Sequence, residues 1–116
     1  MSKFVTLLVE DDLFQREILA ETLRSDGFEV IECATAEAAE LVIATSGTEL
    51  RAVVTDQNLA GTMLGSELAQ FARGQFPDLN IILTSGYEAP LLPSDASFMR
   101  KPFPPDDLLA ALRKLE

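Results

Sequence analysis

The sequence reads as an α/β fold, a doubly wound five-stranded parallel sheet with helices on both faces. Five short apolar runs recur along the 116 residues. Most are separated by segments with apolar residues at helical spacing and recognisable helix ends. Strands alternating with helices in this way call for right-handed crossovers and parallel pairing. A content of 47% apolar and 24% charged residues suits a globular protein. Residues 1–116 are expected to form one domain.

The elements follow in order. Residues 4–9 form the first run and lead straight into Glu10, Asp11 and Asp12. Asp12 reads as the N-cap of the first helix, with Gln15 completing a capping box. Phe14, Ile18 and the pair Leu19 and Leu23 recur at helical spacing, and Gly27 is the C′ glycine. Residues 28–32, "FEVIE", alternate and are β-branched, as a strand requires. Thr35 caps an alanine-rich second helix. Residues 52–55, "AVVT", form the third strand. In "GSELAQFARGQFP", Leu68, Phe71 and Ala72 share a face, and Pro77 ends the helix. Residues 79–84, "LNIILT", form the fourth strand, and residues 97–100, "SFMR", a weaker fifth. The last helix begins with prolines and acids and ends with Arg113 and Lys114, matching the helix dipole at both ends. Residues 86–96 are the exception. Pro90 and Pro93 limit any helix there to about one turn, so the fourth helix should be short or irregular.

Composition excludes several functions. A net charge of −10 opposes binding to nucleic acid or to an anionic membrane. With no histidine, the chain cannot perform imidazole general-base catalysis, ligate zinc through imidazole or carry a phosphohistidine. Cys33 is the only cysteine, so no internal disulfide forms, and it reads as a small semi-buried filler. No signal peptide or membrane span stands out, and a cytoplasmic location is expected.

In open parallel sheets, sites form beyond the carboxyl ends of the strands. Here those ends carry Glu10 and Asp11, then Asp56, then Thr84 and Ser85, then Lys101. Clustered carboxylates repel unless a cation neutralises them. Oxygen donors without cysteine or histidine select a hard cation, and an open cleft with few protein ligands favours magnesium. A lysine beside such a cluster can hold a phosphate oxygen. A carboxylate can itself be the nucleophile in phosphoryl transfer. Alone, Asp56 would be an ordinary turn residue, and Glu10 and Asp11 a solvated loop. Asp12 belongs to the helix cap rather than to the site. Gly61 and Gly65 read as turn glycines, since "GTMLG" lacks the lysine of a phosphate-binding loop.

The stretches "LLVEDD", "VVTDQNLAG", "ILTSGY" and "FMRKPF" stand in the order and at about the spacing of the receiver domain of two-component response regulators. The chain resembles that family over its whole length, and is most similar to small stand-alone receivers. The resemblance implies a flavodoxin-like fold and phosphorylation by a sensor histidine kinase or histidine phosphotransfer protein. It implies Asp56 as phospho-acceptor, with Asp11 binding Mg2+ directly, Glu10 through water and Asn58 through its backbone carbonyl. Thr84 is then the switch hydroxyl, Lys101 the phosphate-pairing lysine, and Phe98 the switch aromatic, which is equally readable as a core residue. The bond from Lys101 to Pro102 is expected to be cis.

Some features depart from the family. Ala60 stands where proline is common, and the spacing from Asp56 to Gly65 is one residue longer than usual. The proline-rich segment before strand five puts the usual output surface in doubt. With no length for an effector after Glu116, the expectation is a stand-alone receiver or one excised from a longer protein, signalling rather than acting as an enzyme. Two alternatives stand beside this. One is a magnesium-dependent phosphohydrolase with an aspartate nucleophile, opposed by Asn58 where a second aspartate is usual and by the lack of a cap. The other is a degenerate receiver that only binds partners, opposed by the intact acids and lysine.

Overall fold

The computed structural model describes residues 5–115, so the expected strand residue Phe4 lies outside the described residues. The elements are β1 Val5–Val9, α1 Leu13–Ser25, β2 Glu29–Cys33, α2 Ala36–Ser46, β3 Ala52–Asp56, α3 Gly65–Gln75, β4 Asn80–Ser85, β5 Ser97–Arg100 and α4 Pro105–Arg113. A 3-10 turn, Gly47–Glu49, follows α2. The sheet is parallel throughout, in the order β2-β1-β3-β4-β5. The winding reverses between β1 and β3, which opens a crevice at their carboxyl ends. Compared with the sequence expectation, β3 runs one residue further. Asp56 therefore lies in the ladder, held opposite Thr84 of β4.

Side chains alternate across the strands and build two cores. On one face Leu7, Val9, Val53 and Ile81 pack with Ala39, Ile43, Leu68 and Ala72 of α2 and α3. On the other, Leu8, Val54 and Ile82 pack with Leu19, Leu23, Leu108 and Leu112 of α1 and α4. With both faces covered, β1, β3 and β4 are buried along nearly their whole length.

The helix ends form largely as expected. Asp12 Oδ1 accepts the Gln15 N–H at 2.9 Å, and Thr35 Oγ1 accepts the Ala38 N–H at 3.1 Å. Gly27 follows α1 with φ 92°. The capping box differs. The Asp12 N–H goes to Glu10 Oε2 at 3.2 Å, and the Gln15 side chain turns to Lys101 instead. The apolar ridge of α1 also divides. Leu19 and Leu23 are buried, whereas Phe14 is 77% and Ile18 52% exposed. Both pairs have i, i+4 spacing, and spacing alone does not say which of two adjacent ridges meets the sheet.

No helix forms among residues 86–96, a step beyond the expected shortening. The segment is tied down by Arg73 of α3. Its Nε donates to the Ser94 carbonyl at 3.0 Å, while its Nη1 donates to the carbonyls of Pro77 at 2.7 Å and Leu79 at 2.6 Å.

The exposed and buried ridges of α1 should respond differently to truncation. Leu23→Ala is expected to cost about 3 kcal/mol of unfolding free energy. Phe14→Ala should stay within about 0.5 kcal/mol, both measured by urea unfolding.

Candidate functional site

The sheet delivers four side chains to one edge. Glu10 follows β1, and its N–H donates to the Cys33 carbonyl at 3.1 Å. Asp56 closes β3, with Thr84 as its ladder partner in β4. Lys101 follows β5, and its N–H donates to the Ser85 carbonyl at 2.8 Å. Each of these four residues therefore belongs to a strand or follows it directly. The N-terminal turn of α3 closes in from the side. A Cβ added to Gly65 would lie 2.0 Å from the Asp56 carbonyl oxygen, so this approach requires glycine.

Glu10, Asp11 and Asp56 each place a carboxylate oxygen within 4.8 Å of the others. Glu10 and Asp56 are buried, and Asp11 is exposed. At an effective dielectric of ~20, two such charges repel by roughly 3 kcal/mol. Lys101 Nζ offsets part of this. It lies 2.6 Å from Glu10 Oε1 and 3.4 Å from Asp56 Oδ2, and donates to Gln15 Oε1 at 2.8 Å. One ammonium among three carboxylates leaves the cluster negative. The all-oxygen donor set fits a hard divalent cation such as magnesium.

Burial pushes the Glu10 carboxyl above its ordinary 4.5, against the hydrogen bond from Lys101, and the Asp56 charge adds to the rise. Burial likewise raises Asp56 above 3.8, against the charge of Lys101 and the backbone N–H groups of Gln57 and Asn58. For Lys101, burial acts to lower the value, but the hydrogen bond to Glu10 and the charge of Asp56 more than offset it, so it stands above 10.5.

A family model described as "Response regulator receiver domain" matches residues 6–113. The chain belongs to the response regulator receiver family. FleR, a response regulator protein of Pseudomonas aeruginosa, is 40% identical to this receiver over 83 residues. That match covers 72% of this chain and 17% of FleR, so the receiver spans under a fifth of that relative. Among solved structures, a receiver protein of Sinorhizobium medicae WSM419 has a TM-score of 0.88 at 24% identity, covering 97% of this chain and 94% of that one. A CheY-like receiver domain protein of Methanospirillum hungatei JF-1 has a TM-score of 0.87 at 29% identity, covering 98% and 94%. These likenesses bear out the flavodoxin-like fold. Receivers are signalling modules of two-component systems rather than classical enzymes, and they meet histidine kinases or phosphotransfer proteins.

The structure gathers Glu10, Asp11, Asp56 and Lys101 directly. Thr84 is buried beside Asp56 in the ladder, and Asn58 lies exposed in the loop after it. Phe98 is half-buried on β5 opposite Leu83, in the rung next to the pair Thr84 and Met99. The Lys101–Pro102 bond is cis. Tyr87 is exposed, and Cys33 is buried more deeply than a semi-buried filler. Among the described residues, no helix is long and apolar enough to cross a membrane.

Three contacts escaped the sequence reading. Gln15 holds Lys101 across 86 residues of chain. Arg16 Nη1 donates to the Glu10 carbonyl at 2.8 Å, with its Nε 3.3 Å from Glu32. Glu37 accepts from Thr62 and Met63 in the loop after Asp56. Only Gln15 had a signal, as an amide one helical turn from the acids.

Because Glu10 and Asp56 hold protons more tightly folded than unfolded, metal-free stability should fall as pH rises through their folded values above 4.5 and 3.8. Asp56→Asn should flatten this dependence. At neutral pH it should raise the metal-free melting temperature by about 4 °C, equivalent to about 1 kcal/mol. Thermal melts in EDTA across pH measure both effects.

Proposed function

We propose that this receiver, acting as one unit in the cytoplasm, takes a phosphoryl group onto Asp56 from a partner's phosphohistidine. The observation that carries this reading is Lys101 Nζ set between Glu10 and Asp56, with Asp11 completing the acidic cluster. An Asp56 oxygen bonds to phosphorus as the P–N bond of the phosphohistidine breaks, leaving an acyl phosphate on the receiver and a free imidazole on the partner. Asp56 must be ionised to attack, and the nearby ammonium favours that form against burial.

Glu10, Asp11, Asp56 and the Asn58 carbonyl would hold magnesium, which supplies positive charge to the transferring phosphoryl oxygens. Lys101 then exchanges part of its contact with the carboxylates for a phosphoryl oxygen. Thr84 donates its hydroxyl to another. Its displacement alters β4 beside β5, where the half-buried Phe98 ring can respond. The new acceptor oxygens, rather than a change in net charge, bias the surface a downstream protein target meets.

The test is incubation with magnesium and acetyl phosphate followed by intact-mass measurement. A gain of one phosphoryl group, absent in Asp56→Asn and slowed at least tenfold in Lys101→Ala, is the expected result. Continuous phosphate release with neither an adduct nor beryllofluoride binding would overturn it in favour of a hydrolase. Absence of adduct, phosphate release and magnesium binding together would leave a binding-only receiver.

A further inference from the structure

The loop after Asp56 has no regular secondary structure apart from one bridge, yet it is held at three places. At its base, the Gln57 N–H donates to the Thr84 carbonyl at 2.9 Å. The Gln57 carbonyl accepts the Gly65 N–H at 3.0 Å, and Gln57 Oε1 accepts the Ser66 N–H at 2.7 Å. These bonds close the neck of an arch over residues 57–65. Midway, Ala60 pairs in parallel with Thr35, just before α2. Near the top, Glu37 Oε2 accepts from Thr62 N at 3.1 Å, Thr62 Oγ1 at 3.0 Å and Met63 N at 3.3 Å. Gly61 has φ 97°, and a Cβ there would stand 2.9 Å from Glu37 Oε1. The backbone is thus turned around the Glu37 carboxylate.

We propose that Glu37 is a positioning residue for the metal side of the phosphorylation site: by pinning the arch to α2, it fixes the backbone that carries Asn58. This rests on the magnesium and acceptor reading above. Glu37 is not one of the gathered carboxylates and touches no reacting atom. A backbone carbonyl on a mobile loop must be immobilised when it binds a cation, which weakens affinity. A loop already fixed avoids that cost. The pin is also charge-assisted, and its own N–H together with the Thr62 donors holds the Glu37 carboxyl below its ordinary range. The arch is one residue longer than the family's commonest spacing and has Ala60 where proline is common, so rigidity from the ring is replaced by an external tether.

The test is calorimetric titration of magnesium into the full chain, for wild type, Glu37→Ala and Glu37→Gln, with thermal melts in EDTA. Glu37→Ala should weaken magnesium affinity roughly tenfold, as loss of an outer-shell support does. Glu37→Gln keeps an acceptor oxygen without the charge and should fall between. The half-saturating magnesium concentration for phosphorylation by acetyl phosphate should shift by the same factor, and the deficit should close as magnesium is raised. Thr62→Val, which removes only one donor, provides a milder probe should Glu37→Ala not fold. Wild-type magnesium affinity in both Glu37→Gln and Thr62→Val would overturn the proposal. So would a lower melting temperature in EDTA with unchanged affinity, which describes a stability clamp alone. Absence of magnesium binding by the wild-type chain overturns the metal reading itself, and this inference with it.

Discussion

The molecule depends on a charge imbalance at the carboxyl edge of its sheet. Parallel pairing of β1, β3, β4 and β5 brings Glu10, Asp56, Thr84 and Lys101 to one edge. Three carboxylates meet there, and one ammonium, 2.6 Å from Glu10 and 3.4 Å from Asp56, offsets part of their repulsion. Burial of Glu10 and Asp56 makes the residual charge more costly, since water screens it less. The apolar sheet beneath supplies the rigidity that keeps these groups together. A bound cation would relieve this tension, and together with Lys101 it would offset the negative charge of phosphoryl oxygens.

The surroundings show how the edge is supported. Arg16 holds the Glu10 carbonyl, Gln15 holds Lys101, and Gln57 closes the arch that follows Asp56. Lys101 is thus shared among three acceptors and can move toward a new oxygen without losing all of its contacts. On the far side, the connection from β4 to β5 contains no helix, and the guanidinium of Arg73 ties it to the end of α3. The surface beside Phe98 therefore differs from that of a receiver with a helix in this place. Movement of Thr84 would reach an irregular, proline-rich segment rather than a helix packed on β5.

Most of the fold was legible because buried parallel strands are short continuous apolar runs, and their helices carry recognisable caps. Asp12, Thr35 and Gly27 took the places expected of them. The gathering of Glu10, Asp11, Asp56 and Lys101 was legible because a parallel sheet converts position at a strand end into position in space. What the sequence hid depends on contacts between distant segments. Whether Phe14 and Ile18 or Leu19 and Leu23 face the sheet turns on a rotation of α1 that equal spacing cannot report. Glu37 reads as a first-turn acid favoured by the helix dipole, and nothing local links it to Thr62, 25 residues away. Gln15 satisfied a capping pattern that Glu10 fulfils instead.

Glu10, Asp11 and Asp56 are proposed to form a cation site left short of positive charge. The most direct measurement is the melting temperature of the wild-type chain against free magnesium, beside Asp11→Asn. A continuous rise is expected for wild type through the millimolar range, following the logarithm of magnesium above its dissociation constant, with a much smaller rise for the variant. A wild-type melting temperature that does not move, or one that rises equally in Asp11→Asn, would contradict it.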